Sequence, residues 1–127
     1  MRVERELIAA ERLVILTISG DLGDRDLLEL AGHIARDPEV EPDFSLLIDL
    51  REAHGDAVTG AGVRSLSARP LVLSLESRRA VVVPSDSGFG MARMYELLRG
   101  ERGGGMRVFR DFDEARRWIT APALDAD

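Results

Sequence analysis

Four short apolar runs, set among segments of helical periodicity, constrain the fold of this chain more than any other feature. The runs are RLVILTISG (Arg12–Gly20), FSLLIDL (Phe44–Leu50), RAVVVP (Arg79–Pro84) and MRVF (Met106–Phe109). β-Branched and aromatic residues and flanking Gly, Pro or charged residues mark each as a buried strand. A weaker candidate, RVERELI, precedes the first. It pairs with Arg12–Ser19 through a turn at Ala9–Glu11, giving an N-terminal hairpin.

Between these runs the period changes to that of a helix. GDRDLLELAGHIARD places Leu27, Ala31, Ile34 and Ala35 at helical spacing, with acids in the first turn and Arg36 in the last, as the helix dipole favours. Pro38 and Pro42 bracket a polar connector before Phe44. After Leu50, REAHGDAVTG reads as a loop. A helix then starts near Gly60, turns Val63 and Leu66 inward, and is stopped or kinked by Pro70. LVLSL (Leu71–Leu75) fits either a further helical turn or an extended stretch. GMARMYELLRG is a helix with Met91, Met94, Tyr95 and Leu98 on one face, and the glycine-dense LRGERGGGMR is a connector. DFDEARRWI closes the pattern, with Asp111 as N-cap, Glu114 at capping-box spacing, and Phe112, Ala115, Trp118 and Ile119 on its apolar side.

The order ββαβαβαβα implies a single α/β domain over residues 1–120, with a flexible tail at 121–127. Its sheet is mixed but mostly parallel, of about five strands, flanked by four helices with right-handed crossovers.

Composition removes several function classes. A formal net charge of −6 argues against a nucleic-acid surface, because phosphate backbones are bound through positive charge. With no cysteine there is no disulfide, thiol nucleophile or thiolate metal site; with no lysine there is no Schiff base or P-loop. No apolar run approaches the ~20 residues of a membrane span, and MRVERELIAAERL is too charged for a signal peptide, so a cytoplasmic location is expected.

The polar clusters each have two readings. Ser85, Asp86, Ser87 and Gly88, in SDSGFG, follow a parallel strand, where α/β sheets bind ligands, but the spacing matches no phosphate-loop or nucleophile-elbow pattern. Cap and turn chemistry explains these residues as well. His54 beside Asp56 is the one base–orienter pair available to a hydroxyl nucleophile such as Thr59 or Ser87, without a motif to support a hydrolase. His33 lies beside the apolar stripe of the first helix. Asp21, Asp24 and Asp26 lack the further oxygen ligands a Ca²⁺ loop needs, and read as a solvated helix start. Neither a metal nor a cofactor is expected.

Three stretches together resemble the SpoIIAA-like group, which is related to the STAS domains of anti-sigma-factor antagonists. RLVILTISGDL is similar to their opening strand and polar turn, FSLLIDL to their central strand ending in Asp-Leu, and MRVFRDFDEARRWI to their closing strand and helix. The resemblance implies a small mixed sheet flanked by helices, and binding rather than catalysis. In the phosphorylated antagonists an Asp-Ser-Ser-Gly stretch heads the helix after the central strand. A partner that is both kinase and anti-sigma factor phosphorylates a serine there. DSG at Asp86–Gly88 mimics that stretch one βα unit too late. Counting from Asp49, the matching place is AVTGAGV, where Thr59 supplies the hydroxyl and Gly60 and Gly62 follow, with Ala57 and Val58 in place of the Asp and Ser.

The resemblance therefore implies a regulatory module whose protein partner contacts Asp56, Thr59, Gly60 and Gly62, switched by phosphorylation of Thr59. A threonine before glycine at a helix start is also a plain N-cap. The fold's similarity to lipid-carrying Sec14 (CRAL-TRIO) modules implies the alternative of an apolar, lipid-like ligand in a groove lined by Val63, Leu66, Leu71 and Leu73, which otherwise cover the sheet. A homodimer is expected on general grounds only.

Overall fold

Residues 1–69, 77–100 and 105–121 are described by the computed structural model. The strands are β1 (Arg2–Ile8), β2 (Leu13–Gly23), β3 (Ser45–Ala57), β4 (Arg79–Val82) and β5 (Met106–Phe109). The helices are α1 (Asp24–Arg36), α2 (Gly60–Ser67), α3 (Asp86–Arg99) and α4 (Phe112–Thr120), and a 3₁₀ turn at Ala9–Glu11 joins β1 to β2. The strands lie side by side in sequence order, β1 antiparallel to β2 and every later pair parallel. The expected fold class and element order are both met.

Sequential parallel strands joined by right-handed crossovers put their helices on one face, so α1, α2 and α3 lie together and α4 closes the other. Side chains alternate between these faces. Leu13, Ile15, Leu47, Ala80 and Val82 meet Ala115 and Ile119 of α4, while Val14, Leu16, Ile18 and Leu46 meet Leu30 of α1. Cover on both faces explains why β2 and β3 begin as nearly unbroken apolar runs. Within α4, Asp111 caps by accepting the Glu114 amide at 3.0 Å, as its spacing predicts.

Several boundaries differ from expectation. Gly20 does not end β2, which runs on to Gly23, and β3 takes in most of the stretch expected as a loop, reaching Ala57. The two extensions pair with each other, Ser19 with Glu52 and Asp21 with His54, across register shifts. A ladder between two strands satisfies the backbone without an apolar face, so periodicity cannot see it. Gly20 holds φ +89°, and a Cβ there would come 3.8 Å from the Met1 backbone. On α1 the buried residue is Leu30, and Ala35 is exposed. α3 begins at Asp86, so SDSGFG is a cap and first turn, and Leu98 on its far end is exposed. α2 ends at Ser67; Pro70, Leu71–Leu75 and 122–127 lie outside the described residues.

Candidate functional site at the start of α2

The C-terminal ends of the parallel strands bring four segments to one end of the sheet: Gly23–Asp24, Ala57–Thr59, Pro84–Asp86 and Arg110–Asp111. Thr59 stands where β3 gives way to α2. Its backbone is extended (φ −110°, ψ 161°), and its Oγ1 accepts the Gly62 amide at 3.0 Å, an ordinary N-cap.

The cap has a second layer. Thr59 Oγ1 donates to Asp24 Oδ2 at 2.6 Å, and the Thr59 amide donates to Asp24 Oδ1 at 2.8 Å. Asp24 is the first residue of α1, so one carboxylate joins the starts of two helices. It lies close against the first turn of α2: a Cβ on the buried Gly62 would stand 2.1 Å from Asp24 Oδ1. An acid there also faces the positive end of the α2 dipole.

The Thr59 hydroxyl, and after it the Thr59 amide, hold the Asp24 carboxyl below the usual carboxylate range. A carboxylate so stabilised is a poor base, so the contact positions the hydroxyl rather than activating it. It also predicts a pH effect. Because the folded pKa is depressed, the stabilisation is present above the unfolded value of about 4 and is lost as pH falls through the lower folded one. Urea unfolding across the acid range should show a steeper loss for the wild type than for Asp24→Asn. Parallel curves would mean that the pair contributes nothing.

Other expected site residues fall elsewhere. Asp56 is exposed near the end of β3, and Gly60 is half-buried beside the Met94 methyl group. His54 has Asp21 as its acid neighbour, across the strand pair at 3.9 Å, beyond hydrogen-bond length. The Thr59 proton goes to Asp24, so no His–Thr dyad forms.

Ser85 caps α3, accepting the Gly88 amide at 3.2 Å, and a Cβ at Gly88 would meet Val83 Cγ1 at 2.5 Å. Asp86 accepts from Arg110 Nη1 at 2.8 Å, and Arg110 covers the Phe89 ring at 4.4 Å. Ser87 is exposed in the first turn. With Ser85 and Gly88 used in the cap and Asp86 adding negative charge, the segment is built as a helix start.

Of the residues expected to line an apolar groove, Val63 is buried and Leu66 half-buried, while Leu71 and Leu73 lie outside the described residues. A cavity of about 380 Å³ lies between β1, β2 and α1, lined in part by Val3, Val14, Leu16, Ile34 and Val40. Arg5, His33, Arg36 and Asp37 line it as well.

Two contributors were not visible in the sequence. Asp24 reads as one of three solvated acids, and nothing local announces a partner 35 positions away. Asp49 reads as a strand end, yet it is buried and accepts both Nε (3.0 Å) and Nη2 (2.8 Å) of Arg51, which stacks over Phe112 of α4. Among the described residues no cluster of His, Asp and Glu could hold a metal ion, and no helix is long and apolar enough to cross a membrane.

No family model and no curated protein matches this chain. Among solved structures it is similar to an uncharacterized protein of the DUF3478 family with a SpoIIAA-like fold, from Shewanella loihica PV-4. The likeness covers 93% of this chain and 92% of that one, with a TM-score of 0.56 and 15% identity. The fold is SpoIIAA-like.

Proposed function

We propose that this SpoIIAA-like, STAS-type module works by binding a protein partner rather than by catalysis, through the face running from Asp56 to Val63, with phosphorylation of Thr59 as its switch. The observation that carries this reading is the exposed Thr59 hydroxyl, placed at a helix N-terminus and tied to the adjacent helix through Asp24. A phosphoryl group on Oγ1 would bring about −1.5 to −2 charges to that spot. The positive end of the α2 dipole favours an anion there, but Asp24 already occupies the place. The two negative groups repel, Asp24 leaves, and the joint between α1 and α2 opens. A kinase of the anti-sigma-factor type is the class of partner this switch would serve.

Native mass spectrometry of the protein isolated from its own host is the test. A phosphoryl group mapping to Thr59 is expected, together with faster amide exchange at the starts of α1 and α2 in the phosphorylated form. An unmodified chain, in which Thr59→Asp alters neither exchange nor the proteins recovered with it, would overturn the switch.

One observation favours a second reading, carriage of a small apolar ligand: the 380 Å³ cavity is lined by five aliphatic side chains, and its size is within the range of ligand pockets. An apolar fluorescent dye that binds and is displaced by a long-chain fatty acid would support it; failure to bind would remove it.

A further inference from the structure

The other end of the sheet holds a cation that the proposed function does not use. Arg79 opens β4 and is only 7% exposed. Ala80 and Val82 face α4, so alternation turns Arg79 and Val81 toward the helices of the opposite face. There Tyr95 and Arg99 of α3 lie within its electrostatic range. Its Nε and Nη2 are buried and have no hydrogen-bond partner.

Those two atoms form one edge of the guanidinium, and the same edge is used three times elsewhere in this molecule. Arg5 grips Asp37 with it, Arg12 grips Asp43, and Arg51 grips Asp49. In each case a carboxylate is held side-on, the geometry that suits a planar oxyanion. At Arg79 the same edge lies in the interior without a hydrogen-bond partner. Arg99 has no ion pair among the described residues, and its Nε donates to Tyr95 Oη at 3.0 Å, leaving the phenol proton free to donate in turn.

A buried cation without a counter-charge is strongly unfavourable, and a second guanidinium within its electrostatic range worsens the imbalance. Burial above all, and the Arg99 charge after it, pull Arg79 below the usual arginine range. We infer that Arg79, with Arg99 and the Tyr95 hydroxyl, forms a binding site for a small oxyanion, a carboxylate or phosphate that seats side-on against Arg79 Nε and Nη2. This site stands apart from Thr59, at the opposite end of the parallel strands, and does not depend on the regulatory reading.

Calorimetric titration of the full chain with inorganic phosphate and, separately, with acetate tests the assignment, with chloride at matched ionic strength as the control. Saturable binding of either oxyanion supports the site, and which of the two binds tells phosphate from carboxylate. Binding should be roughly tenfold or more weaker in Arg79→Met, because a charge-assisted hydrogen-bonded pair is lost. The same variant, in a buffer free of both oxyanions, should melt no lower than the wild type, since it removes an unpaired buried charge.

Arg99→Met, on a half-exposed helix position, provides a second variant in which binding should weaken while the fold is kept. Absence of binding by both oxyanions would overturn the inference. So would equal binding by the wild type and both variants. A large loss of melting temperature in Arg79→Met without any oxyanion would also overturn it, because it would show that the guanidinium serves the fold itself.

Discussion

Replacing Leu47 with alanine is expected to lower the unfolding free energy by about 3 kcal/mol, within the range for large-to-small changes in a packed core. For a chain of this size the melting temperature should fall by roughly 10 °C. Leu47 is wholly buried near the start of β3, in register with Ile15 of β2 and Ala80 of β4, and it belongs to the cluster closed by Ala115 and Ile119 of α4. Truncation opens a void between the sheet and α4, which relaxation of a strand paired on both sides cannot fill. Urea unfolding checks it. A loss below about 1 kcal/mol would mean that α4 settles into the space and that this side of the core is loosely packed.

The second large effect concerns two glycines that the sequence does not distinguish. Gly→Ala in a helix interior ordinarily stabilises by about 0.5–1 kcal/mol. Gly90, inside α3, has nothing within 4 Å of where a Cβ would stand, and Gly90→Ala should show that gain. Gly62 sits in α2 under Asp24, where the same methyl group would fall 2.1 Å from Oδ1. Gly62→Ala should therefore reverse the sign, costing about 2 kcal/mol as the carboxylate or the helix is displaced. Thermal melts of the two variants side by side decide the matter. Equal gains in both would show that Asp24 swings aside at no cost, which would remove the tight joint on which the Thr59 switch depends.

The elements legible in the sequence were those that bury an apolar face. β2 and β3 announce themselves through Leu13–Ile18 and Leu46–Ile48, and α4 through Ala115 and Ile119, because burial selects side-chain character at fixed spacing. The caps were legible too: Thr59, Ser85 and Asp111 each accept the amide three residues on. The paired extensions of β2 and β3 were not. Their residues are mostly exposed, and only the neighbouring strand reveals that the backbone is in a ladder. The first turn of α3 was hidden for the reverse reason, since Gly88 and Gly90 are typical of loops although Gly88 is there for its fit against Val83.

By itself, then, the sequence determined the order of strands and helices, the buried runs of β2, β3 and α4 and the residues that start the helices, all consequences of local propensity and periodic burial. Only the tertiary structure decided what those residues meet. It set Asp24 on Thr59 and Asp21 beside His54, and it turned Arg79 inward without a hydrogen-bond partner for its Nε and Nη2. Contacts of this kind join side chains brought together by strand register and helix crossing. No local pattern encodes them, because a single carboxylate or guanidinium has the same character along the chain whether its partner is a neighbour, a distant segment or a bound anion.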